Sequence, residues 1–155
     1  MRGKQATPRK VNLDEVYGSA LVTKLINAIM QDGKKRVAAN IVYKAIEDLN
    51  KRTKLNGTEA LERAIENVKP KIEVRSRRVG GSNFQIPVPV NPNRQQALAI
   101  RWLITSARAA RKDTEFYIAF SRELFGAFNK EGNAVKKRED VYKMAEANKA
   151  FAQFA

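Results

Sequence analysis

The sequence predicts an all-α helical bundle of about six helices with an inserted, protruding two-stranded antiparallel β-hairpin. Three observations carry that expectation. Apolar residues recur at three- and four-residue spacing through most of the chain, the habit of helices with one buried face. One interval alternates instead: Phe84, Ile86, Val88 and Val90 have the period of a half-buried strand. That run follows Val74-Arg75-Ser76-Arg77-Arg78-Val79 across Gly80-Gly81-Ser82, a turn that tolerates positive φ.

The elements follow in order. Residues 1–12 hold Arg2, Lys4, Arg9 and Lys10, no acid and one proline, and read as a basic tail that a polyanion would order. Ser19 can cap a first helix with Leu21, Val22, Leu25, Ile26 and Ile29 on one face, ending near Asp32-Gly33. A second starts around Lys34, carries Val37, Ile41, Ala45 and Leu49, and fades by Lys54. Thr58 opens a third, with Glu59 and Glu62 in its first turn, Leu61, Ala64, Ile65 and Val68 inward, and Pro70 as its stop. After the hairpin, expected over 71–90, a fourth helix spans 93–112; Asn93 and Gln96 have capping-box spacing there. Thr114 opens a fifth with Phe116, Phe120, Leu124 and Phe128 four apart. Gly132-Asn133 separates it from a last helix near Arg138–Phe151, whose Glu139 and Asp140 suit a helix N-terminus. Residues 1–155 are expected to form a single domain.

The hairpin register is argued from its faces. A two-residue Gly80-Gly81 turn sets Arg75 against Ile86 and Val74 against Pro87, mixing charge with hydrocarbon. A three-residue Gly80-Gly81-Ser82 loop pairs Ile72 with Val90 and Val74 with Val88, and is the expected arrangement. Pro87 and Pro89 share one parity, so both missing N–H groups can point to the same outer edge. A ribbon of two strands must lean on a helical body or a ligand.

Charge indicates the kind of partner. Thirty Lys and Arg against sixteen Asp and Glu give +14, unevenly placed. Residues 1–68 carry thirteen basic and eight acidic side chains, 69–112 ten basic ones and the single acid Glu73, and 113–155 seven of each. A field concentrated in one third of a chain marks a polyanion-binding face, and nucleic acid is the expected polyanion. The absence of Cys excludes disulfides and thiolate metal sites; the absence of His removes the usual metal ligand and general base. The carboxylates are scattered without paired spacing, so no enzyme, cofactor, metal or small-molecule substrate is expected. No apolar stretch approaches a membrane span and no signal-peptide core is visible, so a cytoplasmic protein is expected, without membrane partners.

The candidate contacts fall in several groups. Arg94, Arg101 and Arg108 are seven apart and share a stripe with Lys112, Arg111 lying beside it. No acid occurs between Glu73 and Asp113, so pairs within the helix do not explain the stripe. Lys34, Lys35 and Arg36 oppose the dipole at a helix start unless an anion sits there; a solvated turn is the competing account. Lys136, Lys137 and Arg138 are phosphate contacts or aids to solubility. Arg75, Arg77 and Arg78 load the arm, and Gly80-Gly81 makes a tip slim enough for an RNA crevice. Trp102 and the Phe116–Phe128 stripe are core before they are stacking surfaces. The same broad chemistry admits a DNA-bending architectural protein with a basic β-arm, although such arms wedge an apolar tip where this one has glycines.

The run Val74-Arg75-Ser76-Arg77-Arg78-Val79-Gly80-Gly81-Ser82, then Gln85-Ile86-Pro87-Val88 and Ala97-Leu98-Ala99-Ile100-Arg101-Trp102, resembles the bacterial small-subunit ribosomal protein S7 (uS7) family. So do Asp32-Gly33-Lys34-Lys35 and the stretches 134–141 and 144–151, and the likeness runs essentially end to end. The resemblance implies a helical bundle with a protruding hairpin that binds the 3′ major domain of small-subunit rRNA and nucleates assembly of the subunit head. It also implies a hairpin near the exit-site tRNA and the mRNA path, and ribosomal proteins S9 and S11 as neighbours. Many relatives carry His near the position of Tyr142.

Overall fold

The computed structural model describes residues 3, 6, 7, 9–55 and 58–154. Among them, six α-helices flank one hairpin in the order α1 (Ala20–Ile29), α2 (Lys35–Thr53), α3 (Glu59–Val68), β1 (Ile72–Val79), β2 (Ser82–Pro89), α4 (Pro92–Ala110), α5 (Phe116–Phe128) and α6 (Asn133–Ala147), followed by a 3-10 segment, Lys149–Phe154. The expected helical bundle with an inserted hairpin is what the chain forms.

Local chemistry explains most boundaries. The Ser19 hydroxyl accepts from the Leu21 N–H at 3.2 Å and starts α1. Asp32 and Gly33 both take positive φ, 53° and 71°, and turn the chain into α2. Lys54 closes that helix in the left-handed region at φ 56°. Ahead of α1, Asp14 receives the Val16 and Tyr17 N–H groups and the Tyr43 hydroxyl, which fastens the entering chain to α2.

Helix α5 lies against α2, α3 and α4. Its Phe120 and Leu124 are fully buried with Leu25, Ile46, Leu49, Leu61, Ile65 and Leu103 from four other helices. The expected inward positions of α3 are all buried, and so are Ile100, Leu103, Ile104 and Ala107 of α4. On α2 the buried set is Ala38, Val42, Ala45, Ile46 and Leu49, while Val37 is 56% exposed and Ile41 is only half-buried. A strict four-residue row drifts around a helix of 3.6 residues per turn, so the expected row crosses the buried face instead of following it.

Two helix starts differ from expectation. Helix α4 is capped by Asn91, whose side chain accepts from the Arg94 N–H, with Pro92 in the first turn. Proline supplies a ready-made helical φ there, and this outweighs the Asn93–Gln96 pair. Helix α6 begins at Asn133, so Lys136, Lys137 and Arg138 lie inside it and not ahead of it. The anion for its N-terminus comes from another helix: the Glu123 carboxylate of α5 accepts the Ala134 N–H at 2.7 Å.

The hairpin has the two-residue turn, not the three-residue loop. Val79 pairs with Ser82, Arg75 with Ile86, Val74 with Pro87 and Ile72 with Pro89. Gly80 and Gly81 take φ of 57° and 90°, the double positive φ of a tight primed turn. The Val90 N–H bonds to the Lys71 carbonyl at 3.0 Å, so that pair is a hydrogen-bonded one. Counting from it, Pro87 and Pro89 fall at non-bonded pairs, where a missing N–H costs nothing. The mixed face that argued against this register is tolerated because its buried charge, Glu73, is paired. The arm leans on the body as expected: Tyr142 of α6 accepts the Lys71 N–H at 3.0 Å, and the Phe84 ring meets Phe151 at 5.1 Å.

Candidate nucleic-acid interface

Helices α1 and α4 leave between them a groove of about 470 Å³ lined by Lys24, Gln96, Arg101, Thr105 and Arg108, with Ile100 and Ile104 among its apolar residues. Lys24 donates to the Gln96 side-chain oxygen at 2.6 Å, which fixes one rim. Arg108 donates to the Ile29 carbonyl at 3.3 Å, satisfying an orphan acceptor at the end of α1 while its side chain stays exposed. Arg101 stands exposed between them, about 10 Å along the helix from Arg108 by the rise per residue. Among the described residues no carboxylate lines the groove. Three cations on an apolar base, with amide and hydroxyl groups beside them, suit a phosphate backbone.

The expected stripe divides at Arg94, which turns to the arm. Its guanidinium Nε donates to Glu73 at 2.8 and 3.1 Å, and Arg75 of β1 bonds the same carboxylate. Burial pushes the Glu73 carboxyl up, but the hydrogen bonds from Arg94 and Arg75 more than offset this and hold it below the usual range. The bonds leave both guanidinium groups about half exposed, Arg75 at 57% and Arg94 at 49%. Arg77 and Arg78 are exposed further along β1, and Gly80-Gly81 forms the tip.

The remaining candidates sit apart. Lys34, Lys35 and Arg36 are exposed at the start of α2, Lys34 beside Asp32 at 3.6 Å. Arg111 and Lys112 lie just beyond α4, exposed, with Arg111 donating to the Thr114 carbonyl. Lys136 and Lys137 are exposed on α6. Arg138 is not: its side chain is only 22% exposed, donates to the Asn67 carbonyl of α3, and lies over the Tyr142 ring. It fastens α6 to α3. Arg9 and Lys10 are exposed ahead of Asn12, whose carbonyl accepts from Thr23; Arg2 and Lys4 lie outside the described residues. Trp102 packs against the core.

Two members of this surface escaped the sequence reading. Lys24 lies in a stretch, 16–31, as free of acid as the one that marked α4, and the same test would have found it. Glu73 is the single acid of residues 69–112, and nothing local in the sequence joins it to Arg94.

Fold and surface together define a basic binding protein with a cationic groove and a basic arm. Among the described residues no group of His, Cys, Asp or Glu could hold a metal ion, and no helix is long and apolar enough to cross a membrane. The sequence model of a family described as ribosomal protein S7p/S5e matches residues 1–149. The small ribosomal subunit protein uS7 of Fervidobacterium nodosum is 51% identical over 154 residues, 99% of each chain. Those of Bartonella tribocorum and Pelagibacter ubique are each 52% identical, over 99% of this chain and 97% and 99% of theirs. The chain belongs to the ribosomal protein S7p/S5e family, and its role is structural and ribosomal, not enzymatic.

Proposed function

We propose that this protein binds the 3′ major domain of small-subunit rRNA, nucleates assembly of the subunit head, and extends its hairpin toward the exit-site tRNA and the mRNA path. It works on the cytoplasmic ribosome as one domain, with ribosomal proteins S9 and S11 as neighbours. The observation that carries the reading is the groove between α1 and α4, where Lys24, Arg101 and Arg108 converge with no carboxylate among them. The basic tail, the Lys34–Arg36 turn, Arg111, Lys112, Lys136 and Lys137 extend the contact, and Arg75, Arg77, Arg78 and the Gly80-Gly81 tip serve the arm. Family membership supports RNA as the polyanion over DNA.

The mechanism is binding without chemistry. Lysine and arginine displace counterions from phosphates, and specificity arises from RNA shape and single-stranded junctions, because side chains cannot read the deep A-form groove. Hydroxyl-radical footprinting on small-subunit rRNA is expected to give protections confined to the 3′ major domain, undiminished by excess duplex DNA at fixed salt. Protections spread over the whole rRNA, or erased by the duplex, contradict the reading.

A further inference from the structure

The acid at the base of the arm is the least expected group in the molecule. Residues 69–112 contain ten basic side chains and one acid, and that acid is 8% exposed. A carboxylate in such a place serves neither solubility nor a polyanion surface. Its two oxygens are shared between Arg75, on the arm, and Arg94, in the first turns of the following helix. The three side chains therefore carry a net single positive charge. Arg94 uses only its Nε toward Glu73, and Arg75 its Nε and one terminal nitrogen. Each guanidinium keeps terminal N–H donors that the bonds to Glu73 do not use, on side chains about half exposed.

We propose that Glu73 is a positioning residue: it gathers Arg75 and Arg94 into a single site for one RNA backbone phosphate and fixes the angle at which the arm leaves the body. This rests on the rRNA-binding reading and adds to it a ligand class, a phosphodiester, and a third group that touches no RNA. Two guanidinium groups left alone repel one another and sample many rotamers. A buried carboxylate between them removes both penalties before the RNA arrives, which is the usual source of strength in a preorganised site. The bonds also tie β1 to α4, so a phosphate held there reports the arm's direction as well as its charge.

The test turns on sign. Glu73→Gln raises the net charge of the protein, so a mere charge effect strengthens binding to a 3′ major-domain transcript and steepens its salt dependence. Positioning gives the reverse: affinity falls about tenfold, the loss of a charged hydrogen-bonded contact, and the salt slope becomes shallower by about one phosphate. Arg75→Ala, Arg94→Ala and the double variant complete the cycle. If both arginines hold one phosphate, the double variant costs little more than either single one, and in the Glu73→Gln background the two effects become small and additive. All variants keep helical circular dichroism and a Tm above the assay temperature; should Glu73→Gln fall short of this, the arginine cycle alone decides, non-additive losses supporting a shared phosphate and additive ones overturning it. Equal or tighter binding by Glu73→Gln, additive arginine effects in the native background, or single arginine variants that bind like the parent protein each overturn the proposal. Failure of the rRNA reading itself looks different: the unaltered protein then shows no preference for the transcript over unrelated RNA.

Discussion

Glu123 illustrates how one side chain can decide where a helix begins. It is buried on α5, and its carboxylate takes the Ala134 N–H at the start of α6. Gly132 makes room for it: at φ 95° the position already favours glycine, and a Cβ there would stand 3.2 Å from the carboxylate oxygen. Burial pushes the Glu123 carboxyl above its ordinary range, against backbone hydrogen bonds from Ala134 and Asn133 that pull it down. The folded protein therefore holds this proton more tightly than the unfolded chain does. The resulting stabilisation is complete below the unfolded-chain value and is lost as pH rises through the folded one. Glu123→Gln keeps an acceptor for Ala134 and cannot ionise, so it is expected to match the parent protein at acid pH and to be the more stable near pH 7. Glu123→Ala removes the acceptor and is expected to cost about 1–2 kcal/mol at acid pH, the usual loss for a helix cap, and less against the parent near pH 7, where the parent has lost the Glu123 contribution. Urea midpoints for the three proteins across this range check both; a constant difference between parent and Glu123→Gln refutes the assignment.

At the scale of elements, the hairpin separates what the sequence makes legible from what it hides. Glycines at the tip, alternation along β2 and two prolines of one parity were all readable, and all belong to the observed ribbon. The register was not, because choosing it required knowing that Glu73 meets Arg94, 21 residues away, and so can sit on a buried face. The start of α6 was hidden for the same reason, its anion arriving from α5. By contrast Ser19, Pro70 and the apolar face of α3 act within a turn of themselves, and the elements they bound were anticipated closely. The cap of α4 is another matter: Asn91-Pro92 is a local signal, and it was simply outranked by a neighbouring one. Within the interface, Arg101 and Arg108 were legible as a stripe, whereas the orientation of Arg138 toward Asn67 depends on the packing of α6 against α3. The arm's independence can be tested directly. Replacing residues 76–84 by a short turn removes the Phe84–Phe151 contact but touches none of the buried helical core. The variant is expected to keep its helical circular dichroism and to lose less than about tenfold in rRNA affinity, since the groove contacts remain. Its defect is expected in chemical probing of exit-site tRNA on reconstituted subunits; loss of all rRNA affinity would place the principal contact on the arm instead.

For the whole molecule, the decisive property is where charge is balanced and where it is not. Residues 113–155 carry seven basic and seven acidic side chains, and they supply α5, which forms the centre of the core, and α6, which props the arm. Residues 69–112 carry nine of the fourteen excess positive charges, and they supply the arm and the helix that borders the groove; residues 1–68 carry the other five and supply Lys24 on its opposite side. A neutral C-terminal scaffold thus stands beside a cationic surface, and the field of that surface is directed instead of diffuse. A matched pair of variants separates this from a general effect of net charge. Arg101→Ala with Arg108→Ala removes two charges from the groove; Arg122→Ala with Lys143→Ala removes two exposed charges from the neutral region. Both lower the net charge equally. Plots of log affinity for the 3′ major-domain transcript against log salt are expected to flatten by about two phosphate contacts for the groove pair and to stay parallel to the parent for the other. Arg108 also satisfies the Ile29 carbonyl, so Tm is measured alongside, and a drop worth about 1 kcal/mol is expected from that bond alone. Such a loss leaves the protein folded at the assay temperature and cannot flatten the slope. Equal slopes for the two pairs would mean that rRNA senses only the total charge, and the groove would lose its claim to be the binding face.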